Sequence, residues 1–161
     1  MRHPEAIKLA RISFVLLALF SWVTASQGQT VDQLTTGVKK GDKTSLEKLG
    51  SLAERGNLNA QFNLAFVYQH GEGVAKDPQK AFDWYLIAAR RGHPSAQFNV
   101  SELYLKGEGV SKDIVWAYVW RRLAEGKEDP KTANSSTIAK QLNKAQLSRA
   151  NKLIKDWKPK R

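Results

Sequence analysis

The sequence predicts an all-α protein, built as a solenoid of antiparallel helix hairpins with a C-terminal capping helix. Two observations support this prediction: a repeat of 36 residues in the middle of the chain, and the helical spacing of apolar residues inside each copy. The composition is that of a globular protein, since 42% of the 161 residues are hydrophobic and 25% are charged. The chain has no cysteine, which excludes disulfides, thiolate metal sites and a cysteine nucleophile.

The first element, residues 1–25, is expected to be a signal peptide. A basic start containing Arg2 and Arg11 precedes an apolar run of twelve residues at 12–23. A membrane-spanning helix needs about 17 to 25 apolar residues, whereas a short run with small residues before a cleavage site, here after Ala25, is typical of a secretory signal. An uncleaved anchor is the alternative. We therefore expect an exported protein, either periplasmic or secreted.

Residues 26–56 are expected to form a leading linker and a degenerate helix hairpin. Leu46 and Leu49 have helical spacing, and Gly56 lies one repeat length before Gly92. This segment is interpreted as an incomplete copy of the units that follow.

Residues 57–92 and 93–128 are the two clear copies, which align without a gap. An Ala-Gln-Phe-Asn block starts at Ala60 and a Gly-Glu-Gly-Val block at Gly71, and both recur 36 residues later. Apolar residues with i, i+3, i+4, i+7 spacing lie on both sides of the glycine block, which predicts two helices joined by a turn. Each copy is therefore predicted to be a helix hairpin.

Local signals mark the ends of these helices. Gly71 and Gly107 would allow a positive φ after the first helix of each copy. Asp77 followed by Pro78 predicts the N-cap and first residue of the second helix, and Asp113 repeats the cap without a proline. The Gly-Glu-Gly-Val block lacks the preceding strand and the longer glycine pattern of a phosphate-binding loop, so we interpret it as a turn.

Residues 129–161 are expected to contain capping helices and a basic tail. Asn143 and Gln146 have the spacing of a capping box at the start of a helix. Behind them, apolar residues form one stripe and basic residues occupy the other side, as the end of a solenoid requires. The stripe consists of Leu147, Ala150, Leu153, Ile154 and Trp157.

The two copies resemble the Sel1-like repeat family, a relative of the tetratricopeptide repeats. The resemblance rests on the elements Ala-Gln-x-Asn, Tyr-x-x-Gly-x-Gly-Val, Asp-x-x-x-Ala and, in the first copy, Trp-Tyr-x-x-Ala-Ala. The second copy departs from the last element at Arg121 and Glu125, which indicates a unit near the end of an array. The resemblance implies a right-handed solenoid, a bacterial periplasm and a role in scaffolding or regulating envelope proteins. A cysteine-rich branch of the family has been linked to β-lactam binding, and the absence of cysteine argues against that branch.

The repeats predict a non-catalytic surface that binds a protein or peptide partner on the concave face. The first helices of successive hairpins line one face of such a solenoid, and exposed positions that differ between copies are free to determine specificity. Phe62 and Phe98 repeat, so we interpret them as packing residues between hairpins. The candidate partner-binding residues are Phe66, Gln69, His70, Glu102, Leu105 and Lys106.

The charge distribution supports an alternative function. The formal net charge is +11, and residues 127–161 contain ten bases against three acids. This segment could bind an anionic envelope polymer or a membrane surface; a solvated capping face with a frayed tail is the other explanation. Nucleic acid is disfavoured, because an exported protein would rarely meet it and no aromatic platform lies among the bases. The candidate residues are Lys152, Lys155, Lys158, Lys160 and Arg161.

No residue is predicted to be catalytic, to bind a cofactor or to bind a metal. His70 and His93 lie 23 residues apart, without the spacing and third ligand of a zinc site, so both are expected to be surface turn residues. No serine has the surroundings of a nucleophile elbow. An uncharacterised hydrolase-type activity is the third candidate function.

Overall fold

Eight α-helices form the part of the chain that a computed structural model describes, residues 29–126 and 134–160. The signal peptide predicted for residues 1–25 lies outside the described residues. The helices are α1 (Val31–Lys39), α2 (Lys43–Glu54), α3 (Leu58–His70), α4 (Pro78–Arg90), α5 (Pro94–Lys106), α6 (Ile114–Glu125), α7 (Ser135–Ala139) and α8 (Lys144–Asp156). Within these ranges, no helix has the length and apolarity needed to cross a membrane.

Consecutive helices pair into three hairpins, α1 with α2, α3 with α4 and α5 with α6. The hairpins stack in order, because the second helix of each packs against the first helix of the next. Helices α7 and α8 pack against α6 and close the stack. The predicted all-α solenoid of antiparallel hairpins with a capping helix is thus confirmed.

Three clusters of buried apolar side chains hold the stack together. The N-terminal cluster joins α1 and α2 to α3 around Leu49 and Leu64. The central cluster joins the α3–α4 and α5–α6 hairpins around Tyr85 and Val100, and the C-terminal cluster joins α6 to α7 and α8 around Val119. The N-terminal and central clusters each include residues of two successive hairpins, so stacking contributes to the stability together with packing inside each hairpin.

Cap residues begin and end the repeat helices where the sequence predicts. Asp77 accepts a hydrogen bond from a backbone N–H of α4 at 3.0 Å, and Asp113 accepts two from α6 at 2.8 and 3.0 Å. Gly71 and Gly107 follow α3 and α5, and both have a φ of 71°. The local signals of the sequence are therefore confirmed.

The second glycine of each block allows the closest approach between successive hairpins. Gly73 and Gly109 have φ values of 76° and 69°. A Cβ at Gly73 would overlap the backbone carbonyl of Val38 in α1, and one at Gly109 would overlap the carbonyl of Pro78 at the start of α4. Main-chain atoms cannot rotate away as a flexible side chain can. Stacking therefore requires this glycine, in addition to the turn conformation.

The repeated glutamines fasten each hairpin to the preceding one. The side-chain amide of Gln61 donates to the carbonyl of Ala53 at 2.9 Å, and that of Gln97 donates to the carbonyl of Ala89 at 3.1 Å. Both acceptors lie in the last turn of a second helix, where carbonyls lack the usual partner within the α-helix. The alanines that precede these glutamines are fully buried. The Ala-Gln element is thus a contact between hairpins.

The last helix begins as predicted but ends earlier than its apolar stripe suggests. Asn143 and Gln146 exchange the two capping-box hydrogen bonds, both of 2.9 Å. Helix α8 ends at Asp156, and Trp157 is extended, with φ −69° and ψ 135°. Trp157 therefore leaves the stripe, while the other stripe residues pack against the C-terminal cluster. Pro159 contributes to this ending, because proline cannot continue a helix.

We expect Gly73→Ala to destabilise the stack by about 2 to 4 kcal/mol, because the new methyl group meets main-chain atoms and a positive φ disfavours alanine. The midpoint of urea unfolding should fall at an unchanged m value. Gly50→Ala is the matched control, since Gly50 lies inside α2 and nothing lies within 4 Å of its Cβ position. That change should gain up to about 1 kcal/mol. Equal midpoints for the two variants would contradict the close approach.

Candidate partner-binding surface

A row of aromatic and charged contacts runs along the first helices α1, α3 and α5 and includes two residues of the second helices. We call this row the first-helix face. The face has an aromatic half in the first repeat and a charged half in the second. It consists of Lys39, Phe62, Phe66, Gln69, His70, Tyr85, His93, Phe98, Glu102, Lys106 and Arg121.

Phe62 and Tyr85 form the inner side of the aromatic half. The Phe62 ring stacks on His93 with 4.8 Å between ring centroids and lies 5.5 Å from the ring of Tyr85. Tyr85 is fully buried, and its hydroxyl donates to the side-chain oxygen of Gln69 at 2.9 Å. Burial raises the pKa of Tyr85, so its hydroxyl stays protonated as a donor. Gln69, a predicted partner-binding residue, therefore supports packing within the hairpin.

Phe66 and His70 form the outer side of the aromatic half. Both are predicted partner-binding residues, and their ring centroids are 4.3 Å apart. The ammonium group of Lys39 lies 4.8 Å from the centre of the Phe66 ring and pairs with Glu72 at 2.8 Å. A cation–π contact at an exposed site contributes about 0.5 to 1 kcal/mol. The end of α1 therefore belongs to the face, although the sequence pattern did not place it there.

Glu102 and Arg121 form the centre of the charged half. They are ion-paired, Arg121 is only 7% exposed, and the ammonium group of Lys106 lies 3.7 Å from the Glu102 carboxylate. The guanidinium of Arg121 also lies 4.0 Å from the centre of the Phe98 ring. The structure thus brings the predicted residues Glu102 and Lys106 together. Arg121 was not among the predicted residues, because the prediction covered only positions on the first helices.

The two halves occupy the same positions of the repeat. Phe66 and Tyr85 in the first repeat correspond to Glu102 and Arg121 in the second. The aromatic residues pack in the central cluster, whereas the charged residues pair with each other. A charged residue at only one of the two positions would be partly buried without a partner of opposite charge. Both positions change together from one repeat to the next, which explains physically why the second repeat departs from the family pattern at Arg121.

Phe98 is the exposed aromatic residue of the face. It is 42% exposed and, with Ile87, is one of two exposed large apolar side chains in the described ranges. The interpretation as a packing residue therefore holds for Phe62 but is wrong for Phe98. A cavity of about 370 Å³ adjoins the Phe98 ring. It is lined by Pro94, Ser95, Phe98, Asn99, Arg121, Ala124, Glu125 and Asn134.

The remaining predicted residues lie away from this cluster. Leu105 is half-buried and packs against the C-terminal cluster, so it is not brought together with the others. The predicted anionic-surface residues that the structure describes are all exposed. They are Lys152, Lys155, Lys158 and Lys160. Arg161 lies outside the described residues, and within the described ranges no three His, Asp or Glu side chains lie close enough to hold a metal ion.

His93 caps a helix and is not only a surface turn residue. It is half-buried, and its Nδ1 accepts the backbone N–H of Ala96 at 3.2 Å, which requires the neutral ring. Burial lowers the pKa of His93 below its ordinary value of 6.5. Asn57 is the N-cap at the same position one repeat earlier. The alignment of His93 with Asn57 is the sequence signal that could have predicted the cap at His93.

Exchange of the charged pair for the aromatic pair should recover stability that single changes lose. We expect Glu102→Phe and Arg121→Tyr alone each to cost about 1 to 3 kcal/mol, because the first leaves the buried Arg121 without its carboxylate and the second leaves Glu102 only the exposed Lys106 as a partner. The double variant should be at least about 1 kcal/mol more stable than the sum of the two costs. Urea unfolding of the four proteins measures this coupling. Additive costs would show that the ion pair does not substitute for the aromatic pair.

The stack should lose stability as the pH falls below about 6.5. The pKa of His93 is lower in the folded protein, so the unfolded chain takes up the proton first. The stability is complete above the unfolded pKa and decreases as the pH falls toward the folded pKa. His93→Asn keeps an N-cap residue, as at Asn57. The urea midpoint of this variant should depend less on pH in this range. His70→Asn, at an exposed residue, should leave the slope intact, and a slope that persists without His93 would contradict the assignment.

Comparisons with known proteins agree with this architecture. Residues 58–93 and 94–124 match the Sel1 repeat family. The solved structure of a protective antigen present in uropathogenic Escherichia coli strains, displaying an SLR fold, is similar with a TM-score of 0.67 and 29% identity over 85% of this chain and 32% of that chain. A Sel1 repeat protein from Oxalobacter formigenes is similar with a TM-score of 0.53 and 26% identity over 66% of this chain and 32% of that chain.

The matched part of the chain spans about a third of the length of either of these proteins. No protein with a curated function matches it significantly. The matched segments begin with α3 and α5, the first helices of the two hairpins that carry most of the first-helix face. Residues 58–93 and 94–124 of this chain are therefore two consecutive Sel1 repeats.

Proposed function

We propose that this protein is a non-catalytic interaction module whose first-helix face binds a protein partner. Sel1 repeats generally serve as protein–protein interaction modules. The observation that carries the proposal is Phe98, a 42% exposed ring that lies against the Arg121 guanidinium and borders a cavity. Aromatic residues and arginine are enriched at the centres of protein–protein interfaces.

The chemistry around Phe98 defines what the partner should offer. The cavity of about 370 Å³ beside the ring has both apolar and polar lining residues, so it would accept a side chain that packs on the ring and also forms hydrogen bonds. Arg121 is already paired with Glu102, so this part of the face carries little uncompensated charge. Binding should therefore depend mainly on the burial of apolar surface and should persist at high salt.

We also propose that the module acts in the bacterial periplasm. The support is the basic start of the chain and the apolar run of twelve residues that ends before Ala25, the pattern of a secretory signal. A protein without cysteine is compatible with an oxidising compartment.

A photo-crosslinking phenylalanine analogue at position 98 tests both parts of the proposal in bacterial cells. The same analogue at position 87 is the matched control, because Ile87 is also exposed but lies on α4, outside the first-helix face. We expect position 98 to give a discrete adduct with one partner, in the periplasmic fraction and at high as well as low salt. Position 87 should give none.

Three results would contradict the proposal. Similar adducts from both positions would show unspecific contact, and an adduct from position 87 alone would place the binding site on α4. Recovery of the adduct in the cytoplasmic fraction would contradict the proposed export. Circular dichroism of both variants establishes that the helical fold is retained.

A further inference from the structure

A second cavity, of about 200 Å³, lies between α4, α5, α6 and the segment that follows α8. We call it the tail pocket. Its aromatic walls are Tyr104, Trp116, Trp120 and Trp157. The tail pocket shares no lining residue with the cavity beside Phe98, so the first-helix face does not account for it.

Contacts with the turn between α4 and α5 hold residues 157–160 in place as one wall of the tail pocket. The backbone N–H of Lys160 donates to the carbonyl of Arg90 at 2.8 Å. The side chains of Trp157 and Pro159 approach to 3.8 Å from the position that a Cβ would take at Gly92. The wall is therefore an ordered part of the fold.

The walls of the tail pocket suit a flat apolar group. The rings of Tyr104 and Trp116 are 6.5 Å apart at an angle of 22°, and Trp120 is almost completely buried. Burial raises the pKa of Tyr104, so its hydroxyl stays neutral. An apolar cavity of about 150 Å³ can hold a benzene ring. A volume of about 200 Å³ thus accommodates one ring with a substituent.

Three cations surround the tail pocket: Arg90, Lys158 and Lys160. All three are exposed, and none is ion-paired with a carboxylate of the described residues. Asp113, whose charge acts on Tyr104, is engaged as the N-cap of α6. Aromatic walls alone could also attract a cation. Three positive charges at the rim repel a cation and favour an anion.

We propose that the tail pocket binds a small anionic amphiphile, namely one apolar ring that carries a carboxylate or phosphate group. The ring contacts Trp116 and Trp157, and the acidic group meets Lys158 and Lys160 at the rim.

3-Phenylpropionate is the test ligand, and 3-phenylpropanol is its uncharged analogue with the same ring and chain. Binding is followed by NMR through the indole N–H signals of Trp116, Trp120 and Trp157. Trp84, which does not line the pocket, is the internal reference. We expect saturable shifts at the three pocket tryptophans and an affinity for the alcohol that is lower by about fivefold, the contribution of an exposed charge pair. Phenyl phosphate should also bind.

Two double variants separate the tail pocket from the general basic charge. Lys158→Gln with Lys160→Gln removes two charges at the rim, and Lys152→Gln with Lys155→Gln removes the same charge from exposed positions of α8. The first pair should weaken binding of 3-phenylpropionate about fivefold. The second pair should change it by less than about twofold, because charges away from the pocket are screened.

Each contrary result overturns a stated part of the proposal. Equal affinities for the acid and the alcohol, or equal losses in the two double variants, would overturn the assignment of an anion. Absence of shifts up to the solubility limit of the ligand would overturn the pocket itself. Binding to phosphatidylglycerol vesicles that is lost in the 158/160 variant, without any shift by 3-phenylpropionate, would assign these lysines to a membrane surface instead.

Discussion

Contact of each hairpin with the main chain of the preceding one is the constraint on which the rest of the structure depends. At one end of each repeat's first helix, Gly73 and Gly109 place a turn against a carbonyl of the hairpin before it. At the other end, Gln61 and Gln97 donate hydrogen bonds to the last turn of the preceding second helix. With both ends fixed, the rotation of each hairpin against its neighbour is set. The side-by-side arrangement of first-helix residues is therefore a consequence of backbone stacking, and the residues of the face do not have to create it.

Because the stacking contacts lie at repeated positions, the positions between them are free to differ. The positions of Phe66 and Tyr85 are taken one repeat later by the ion pair of Glu102 and Arg121, and the order of the helices in the stack stays the same. The result is a face with an aromatic half and a charged half. A partner that places an apolar group against Phe98 and polar groups beside Glu102 and Lys106 would fit in one orientation, since the reverse orientation leaves charges without partners. In the proposed function, specificity would therefore depend on the positions at which the two repeats differ.

The sequence predicts the parts of this fold whose causes are local. Caps such as Asp77 and Asp113 act on backbone groups within three residues, and helical periodicity assigns the apolar faces. The exposure of Phe98 could not be predicted in this way, because it depends on the residue that a different helix places beside the ring. The position of Trp157 has the same kind of cause, since its ring packs beside Gly92, which is remote in sequence. Contacts at the end of an array have no second copy in the chain from which they can be inferred.

The basic residues near the end of the chain differ in their surroundings, and therefore in how strongly they can act on a ligand. Lys152 and Lys155 are exposed on a helix surface, where solvent and salt weaken their action on any ligand. Lys158 and Lys160 belong to a segment that is bound through its main chain to Arg90, beside apolar aromatic walls. A charge whose main chain is fixed at the rim of a pocket stays close to a ligand there, whereas salt screens a charge that lies farther away. The order of the segment after α8, and not the number of its bases, therefore decides whether its charge can select a ligand.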